Sequence, residues 1–126
     1  MRLLLDTHAF VWAVARSDRL SVIAASMIAD PANAVLVSVV SAYEIEFKRP
    51  RDPFLSALPA DLDEAVRIHG FEWLPLSPSH ATTAGRLPRL HGDPFDRMLA
   101  AQGLIEHATL LTRDPLVAAY GSVVIW

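Results

Sequence analysis

The chain has 126 residues, 11 basic against 14 acidic, a net charge of −3, and no cysteine. That length fits one domain, taken here as residues 1–126, able to bury a core without disulfides or a structural metal. The lack of cysteine excludes disulfides and thiolate zinc sites, and no apolar run reaches the ~20 residues of a membrane span.

Arg2 to Asp6, "RLLLD", reads as a short buried strand. The following "THAFVWAVA" places Phe10, Val11, Val14 and Ala15 at helical spacing. A polar break over 17–21 leads to a second helix, capped by Ser21 and stopped at Asp30-Pro31. "AVLVSVV", Ala34 to Val40, is β-branched and predicts a second buried strand. "SAYEIEFK" carries Glu44 three residues after Ser41, a capping-box spacing for a helix starting at Ala42 and broken by Pro50 and Pro53. "ADLDEAVRIHG" predicts a helix with acids in its first turn and Gly70 at its end. "FEWLPL" is a third strand, "SPSHATTAGRL" a Ser-capped helix, and "RLHGD" a loop. "PFDRMLAAQGLIEH" puts Phe95, Met98, Leu99, Gln102 and Ile105 on one helical face, with Pro94 at the first position. "ATLLT" is a fourth strand, "DPLVAAYG" one or two helical turns, and "SVVIW" a last strand.

Strands alternate with helices throughout, which predicts an α/β fold: a three-layer α/β/α sandwich on a mainly parallel sheet of four to five strands. In such folds the carboxyl ends of the strands build the site. Five acids stand at or near strand-to-helix corners: Asp6, Glu44, Asp93, Asp96 and Asp114. Each has a structural alternative, since an Asp before a helix caps it for ~1 kcal/mol and Glu44 can complete a box with Ser41. Independent capping does not require these corners to converge, whereas a metal site does. Carboxylates without Cys or paired His suit Mg²⁺ or Mn²⁺ better than zinc. Two such ions ~4 Å apart can activate water and offset charge on a phosphodiester. Without metal, the mutual repulsion should raise the pKa of at least one acid.

The five histidines show no zinc spacing, and only His91, two residues before Asp93, is placed near the site. Thr7 and Thr112 flank acids and could orient them; for Thr7, ordinary capping is the slightly favoured reading. Ser38 and Ser41 bracket the end of the second strand as candidate supports. The three tryptophans are assigned to core or interface. The negative net charge is not that of a protein holding nucleic acid by bulk charge, although Lys48, Arg49 and Arg51 form a basic cluster, as do Arg86 and Arg89. Mean hydropathy of +0.30 points to an apolar surface covered by a partner or a second copy. Asp6 interrupts the N-terminal apolar run too early for a signal peptide, so a cytoplasmic protein is expected.

"LLLDTHAFVW", "SAYEIEFK", "HGDPFDRMLAAQ" and "LLTRD" followed by "YGSVVIW" resemble the PIN-domain ribonucleases, and within them the VapC-type toxins of type II toxin–antitoxin pairs. The resemblance covers essentially the whole chain, and "DPFDR" points to a subgroup bearing an extra acid. It implies a Mg²⁺- or Mn²⁺-dependent endoribonuclease with Asp6, Glu44, Asp96 and Asp114 as the family acids and Asp93 as the extra one. It also implies Thr112 as a helper hydroxyl, a homodimer, and a VapB-type antitoxin that pushes a basic side chain into the acidic pocket. Transfer, ribosomal and messenger RNA all stay open as substrate. Two departures stand out: Pro50 and Pro53 cut short a segment that relatives continue as a basic helix, and Gly103 replaces an Ala, at ~1 kcal/mol of helix propensity. A catalytically silent PIN-like module binding RNA or protein is the alternative, and the presence of all the acids argues against it. A receiver-like or phosphatase domain would need a lysine near the fourth or fifth strand, and the only lysine is Lys48.

Overall fold

The computed structural model describes residues 1–90 and 92–126. Five strands form one sheet among them: β1 (Arg2–Leu5), β2 (Ala34–Ser38), β3 (Glu72–Leu74), β4 (Thr109–Leu111) and β5 (Val124–Ile125). They lie in the order β3-β2-β1-β4-β5, and every pairing is parallel. The central strand β1 pairs Leu3 to Leu5 with Val35 to Val37 on one side and Thr109 to Leu111 on the other.

Side chains alternate across a strand, so each strand feeds two cores. Leu3, Leu5, Val35, Val37 and Leu111 pack with α1 (Thr7–Ala15), α3 (Val39–Lys48) and α5 (Leu62–Ile68). Ala24 of α2 (Val22–Ala29) and Leu55 of α4 (Pro53–Ser56) belong to this side. Leu4, Leu36, Leu74 and Leu110 pack on the other face with α7 (Pro94–Ile105) and a 3-10 segment, Pro115–Tyr120. The remaining helix, α6 (Pro78–Arg86), lies against α7. These are the three layers expected of a parallel sheet buried on both faces.

Two local expectations fail. The second strand ends at Ser38, not Val40, and α3 begins at Val39. Ser38 is its cap and accepts from the Val40 N–H at 3.0 Å. Ser41 is therefore an interior helical residue, fully buried, and its box with Glu44 does not form. Two valines extended the β-branched run past the strand, but a serine that can close the first helical turn decides where the chain bends. In α7 the predicted face is met only in part. Leu99 and Gln102 are buried with Ala100, Ala101 and Gly103, while Phe95, Met98 and Ile105 are half-buried. Small residues let this helix lie close to the sheet. A Cβ at Gly103 would meet Ala108 O at 3.5 Å, an ordinary contact, so packing does not demand the glycine.

Candidate active site

The site follows from the topology. From β1 the chain moves to β2 and β3 on one side, then returns to the other side of β1 as β4. Ligands in open α/β sheets bind beyond the carboxyl ends at such a switch point. The Asp6 N–H donates to Leu111 O at 3.1 Å, joining the two strand ends there. Helices that leave a strand's carboxyl end begin at this edge. So does α7, because it must run back along the sheet before β4 can start in parallel.

Asp6, Glu44, Asp93, Asp96 and Asp114 all line one cleft of about 370 Å³ at this edge. The capping alternative is also true. Asp6 accepts from the Ala9 N–H at 2.7 Å, Asp93 from Phe95 at 2.9 Å and Asp114 from Leu116 at 2.9 Å. Each of these caps engages Oδ1, so one carboxylate both starts a helix and faces the cleft. Capping and site-building are therefore the same placement, not competing explanations.

The supports fall into two pairs. Thr7 Oγ1 donates to Glu44 Oε1 at 2.6 Å and lies 3.0 Å from Ser41 Oγ. Thr7 is thus no cap, contrary to the sequence reading; Asp6 holds that position and Thr7 fixes Glu44. On the other side, Thr112 donates to the Asp6 carboxylate, and its Oγ1 accepts from the Asp114 N–H at 3.1 Å. One hydroxyl therefore ties together acids that are 108 positions apart in the chain, 114 against 6. Burial holds the Asp6 carboxyl above its usual range, against the bonds from Thr112 and Ala9 that stabilise its charge. One raised acid was expected, but from repulsion; here the charge of Glu44 is the least of the causes and burial the greatest.

Sequence reasoning missed four cleft residues, Lys48, His8, Trp12 and Arg113, and one brace. Lys48, four residues after Glu44 and one turn on, bonds Glu44 Oε2 at 2.5 Å. That bond, together with the charges of Asp93 and Asp96, raises the Lys48 ammonium above its usual value. His8 lines the cleft and stacks on Trp12, with ring centroids 5.4 Å apart. Arg113 lines it too, 6.0 Å from the centre of the Trp12 ring. In the sequence Arg113 stands beside Asp114, and His8 two residues after Asp6. Away from the cleft, Arg97 grips α6 through Ala84 O, Leu87 O and Pro88 O, each at 2.8 Å. That brace fixes the first turn of α7, and with it Asp93 and Asp96. His91 lies outside the described residues.

By donor type the cleft fits a hard divalent cation, since its acids offer oxygen alone. Among the described residues, however, no three Asp, Glu or His side chains stand close enough to ligate one ion as placed. The Lys48 ammonium occupies one face of Glu44 in this arrangement. Also among the described residues, no helix is long and apolar enough to cross a membrane.

Comparison with known proteins agrees with this architecture. The family model described as PIN domain matches residues 3–121. The chain is 33% identical over 117 residues to Ribonuclease VapC22 of Mycobacterium tuberculosis, covering 88% of this chain and 85% of the relative. Among solved structures, VapBC2 from Rickettsia felis, bound to a DNA fragment from its promoter, superimposes with a TM-score of 0.74 at 17% identity, over 99% of this chain and 98% of that one. FitAcB from Neisseria gonorrhoeae follows with a TM-score of 0.67 at 18% identity, over 98% and 96%. The last two likenesses concern the fold; with the family model and the VapC22 relative, they place the chain in the PIN-domain family, among its VapC-type members.

Proposed function

We propose that the chain is a divalent-metal-dependent endoribonuclease acting as the toxin of a toxin–antitoxin pair. The observation that carries this reading is the meeting of five carboxylates in one cleft at the β1/β4 switch point. The 33% identity to a protein named as a ribonuclease supports RNA as the substrate.

Asp6, Asp96 and Asp114 are the residues that would hold Mg²⁺ or Mn²⁺, with Asp93 and Glu44 completing the shell or aligning water. When bound, the metal supplies an activated water and positive charge facing the transferring phosphoryl group. The chain's own contributions are positional. Thr112 fixes the Asp6 carboxylate, while Thr7, braced by Ser41, fixes that of Glu44. Lys48 and Arg113 bring cations to the rim, where a phosphate would otherwise meet only carboxylates. The α6–α7 brace through Arg97 holds Asp93 and Asp96 on their helix start.

The likeness to VapBC2 supports a small VapB-type antitoxin as partner. A homodimer and a cytoplasmic location complete the proposal, with residues 1–126 acting as one domain. The alternative, a silent PIN-like binding module, draws on one observation: among the described residues, no three donors are gathered as placed. A single experiment separates the two. Total tRNA and ribosomal RNA are incubated with the purified chain in Mg²⁺, in Mn²⁺ and in excess EDTA, beside Asp96→Asn. Discrete fragments that need both the metal and Asp96 are expected. A folded, antitoxin-free chain that cuts no RNA under any of these conditions leaves the binding module.

A further inference from the structure

The cleft sets five acids against two permanent cations, Lys48 and Arg113. A phosphodiester brings its own negative charge, so the way these cations are held decides which of them can meet it. Lys48 is engaged. Its ammonium bonds Glu44 Oε2 one turn back on α3, and the charges of Asp93 and Asp96 act on it as well. Arg113 is held differently. It is exposed, and among the described residues the ion pairs fall to Arg2, Lys48, Arg49 and His80, with none at Arg113. Its contact is the Trp12 ring, whose centre lies 6.0 Å from the guanidinium carbon. A guanidinium meets a ring through its charge and its face, and its edge N–H groups stay available for hydrogen bonds. The seat is fixed from two sides. Trp12 is 6% exposed and packs edge-on against Trp126, with centroids 5.7 Å apart. Trp126 follows β5, and β5 also anchors the backbone at Arg113, because the Thr112 N–H donates to Ile125 O at 3.3 Å. Arg113 therefore leaves the chain between Thr112, which bonds Asp6, and Asp114, itself one of the acids. Its side chain reaches a ring buttressed by the same strand end.

We infer that Arg113 is the residue that grips the scissile phosphate, with Trp12 as its positioning residue and Trp126 behind it. This inference rests on the ribonuclease reading and assigns the substrate contact within that site. The planar fork of a guanidinium matches two phosphate oxygens at once, as a compact ammonium does not. Charge that develops on those oxygens during hydrolysis then meets a cation already in place. Lys48 has a different duty, which is to match the charge of Glu44 and of the acids at the start of α7. The cleft thus divides its two cations, one for its own acids and one for the substrate.

Two measurements test this. The first is fluorescence anisotropy of a labelled single-stranded RNA of about ten nucleotides, followed across a salt series in Mg²⁺. Asp96→Asn serves as background, so that the probe stays intact. Arg113→Met keeps the stem and loses the charge. It should weaken binding about tenfold and lower the slope of log affinity against log salt by about 0.7, the value of one phosphate contact on a single strand. Arg113→Lys should keep the slope. Unchanged affinity and slope in Arg113→Met overturn the assignment. The second is cleavage, scored with native Asp96 on the RNA cut in the assay above. Arg113→Met should lower kcat/KM about a hundredfold, and Arg113→Lys should recover no more than about a tenth of the parent value, because it lacks the fork. Guanidinium chloride, kept below the concentration that shifts the melt, should restore cleavage to Arg113→Ala, whereas urea, its neutral analogue, should not. Trp12→Phe, which keeps a ring, should retain more of this rescue than Trp12→Leu; if the leucine variant does not fold, the comparison is made between Trp12→Phe and the native ring, which should be rescued better. Parent-like kcat/KM in Arg113→Met, full recovery by Arg113→Lys, or rescue by urea equal to that by guanidinium would each overturn the grip. If the parent chain cuts no RNA, the ribonuclease reading fails, and the salt slope still decides whether Arg113 meets a phosphate.

Discussion

Two regions of this molecule bury polar side chains, and they do so to different ends. At the carboxyl edge of the sheet, Asp6 and Glu44 are 7% and 5% exposed, the other acids share their cleft, and the cations sit at its rim. At the α6–α7 contact, His80 and Gln102 are buried as deeply. There His80 Nδ1 accepts from the Ser77 N–H at 3.0 Å, and Nε2 lies 2.9 Å from Glu106 Oε2. Gln102 Nε2 reaches Pro75 O at 3.2 Å and His80 Nδ1 at 3.3 Å. Arg2 then bonds Glu106 O at 2.6 Å. The second region pairs acid with base; the first leaves acids in excess around an opening, five against Lys48 and Arg113. Burial of polar groups therefore does not mark the site. An excess of like charge at a cleft does, because such an arrangement costs stability unless something else is gained from it.

The sharpest way to break this contrast is Asp6→Asn. We expect cleavage to fall at least about a thousandfold, since one of the carboxylates that would hold the metal is lost. The metal-free fold should become more stable, because an asparagine at this position can still cap Ala9. The sign follows from the raised Asp6 carboxyl: the fold is favoured below the ordinary value of 3.8 and penalised once Asp6 must ionise. The gain in melting temperature should be present at neutral pH and vanish below about pH 3.8. An Asp6→Asn variant that melts lower than the parent at neutral pH would show that the edge is built for stability after all.

His80→Ala tests the other side. It removes the bond to Glu106, frees the Ser77 N–H from its partner and leaves a hole in a buried contact. Destabilisation of about 2–4 kcal/mol is expected in urea melts. Cleavage per folded molecule should stay within about twofold, since no cleft residue is touched. A large loss of kcat at full folding would join the two regions into one functional unit.

Thr112→Val sharpens the contrast inside the cleft. The substitution keeps shape and removes both bonds that tie Asp6 to Asp114. Loss of one such charged hydrogen bond is worth about 1.5–3 kcal/mol, so a roughly tenfold to hundredfold fall in kcat is expected, with the fold retained. Thr112→Ser should restore most of it.

How much of this was legible in the sequence varied with the range of the signal. The sheet was, because short β-branched runs such as Ala34–Ser38 and amphipathic spacing in Thr7–Ala15 are local properties. The five acids were legible as a set because topology delivers every strand-to-helix corner to one edge. The end of β2 was not, since Val39 and Val40 carry strand propensity and only the tertiary fit selects Ser38 over Ser41 as the cap. Nor were the partners of the acids. Nothing local links Thr7 to Glu44, or Thr112 to Asp6; those bonds exist because β1 lies between β2 and β4. Lys48 could have been found from its spacing to Glu44, but that spacing is common on solvated helices, where such a pair is worth only a few tenths of a kcal/mol, about 0.3–0.5.

The finest test of the contrast is Glu106→Gln, for which the largest expected change is in pH dependence. The bond from His80 holds the Glu106 carboxyl below its usual value, with the charge of Arg2 adding to it. A lowered carboxyl stabilises the fold above its unfolded value and loses that contribution as pH falls through the folded one. The window therefore opens near pH 4.5, the ordinary value, and extends downward. In this window the parent should lose stability faster than the glutamine variant, while at neutral pH the two should differ by less than about 1 kcal/mol, since both Arg2 and Glu106 are partly in water. The geometry adds a constraint on His80. Its Nδ1 faces the Ser77 N–H and its Nε2 faces Glu106, so one imidazole joins the capping box of α6 to that carboxylate. Acid unfolding that begins at α6, followed by hydrogen exchange of Ala81 and its neighbours, is the expected signature. Uniform acid loss with α6 still protected would mean that this network is passive, and that the two buried polar regions differ in charge alone.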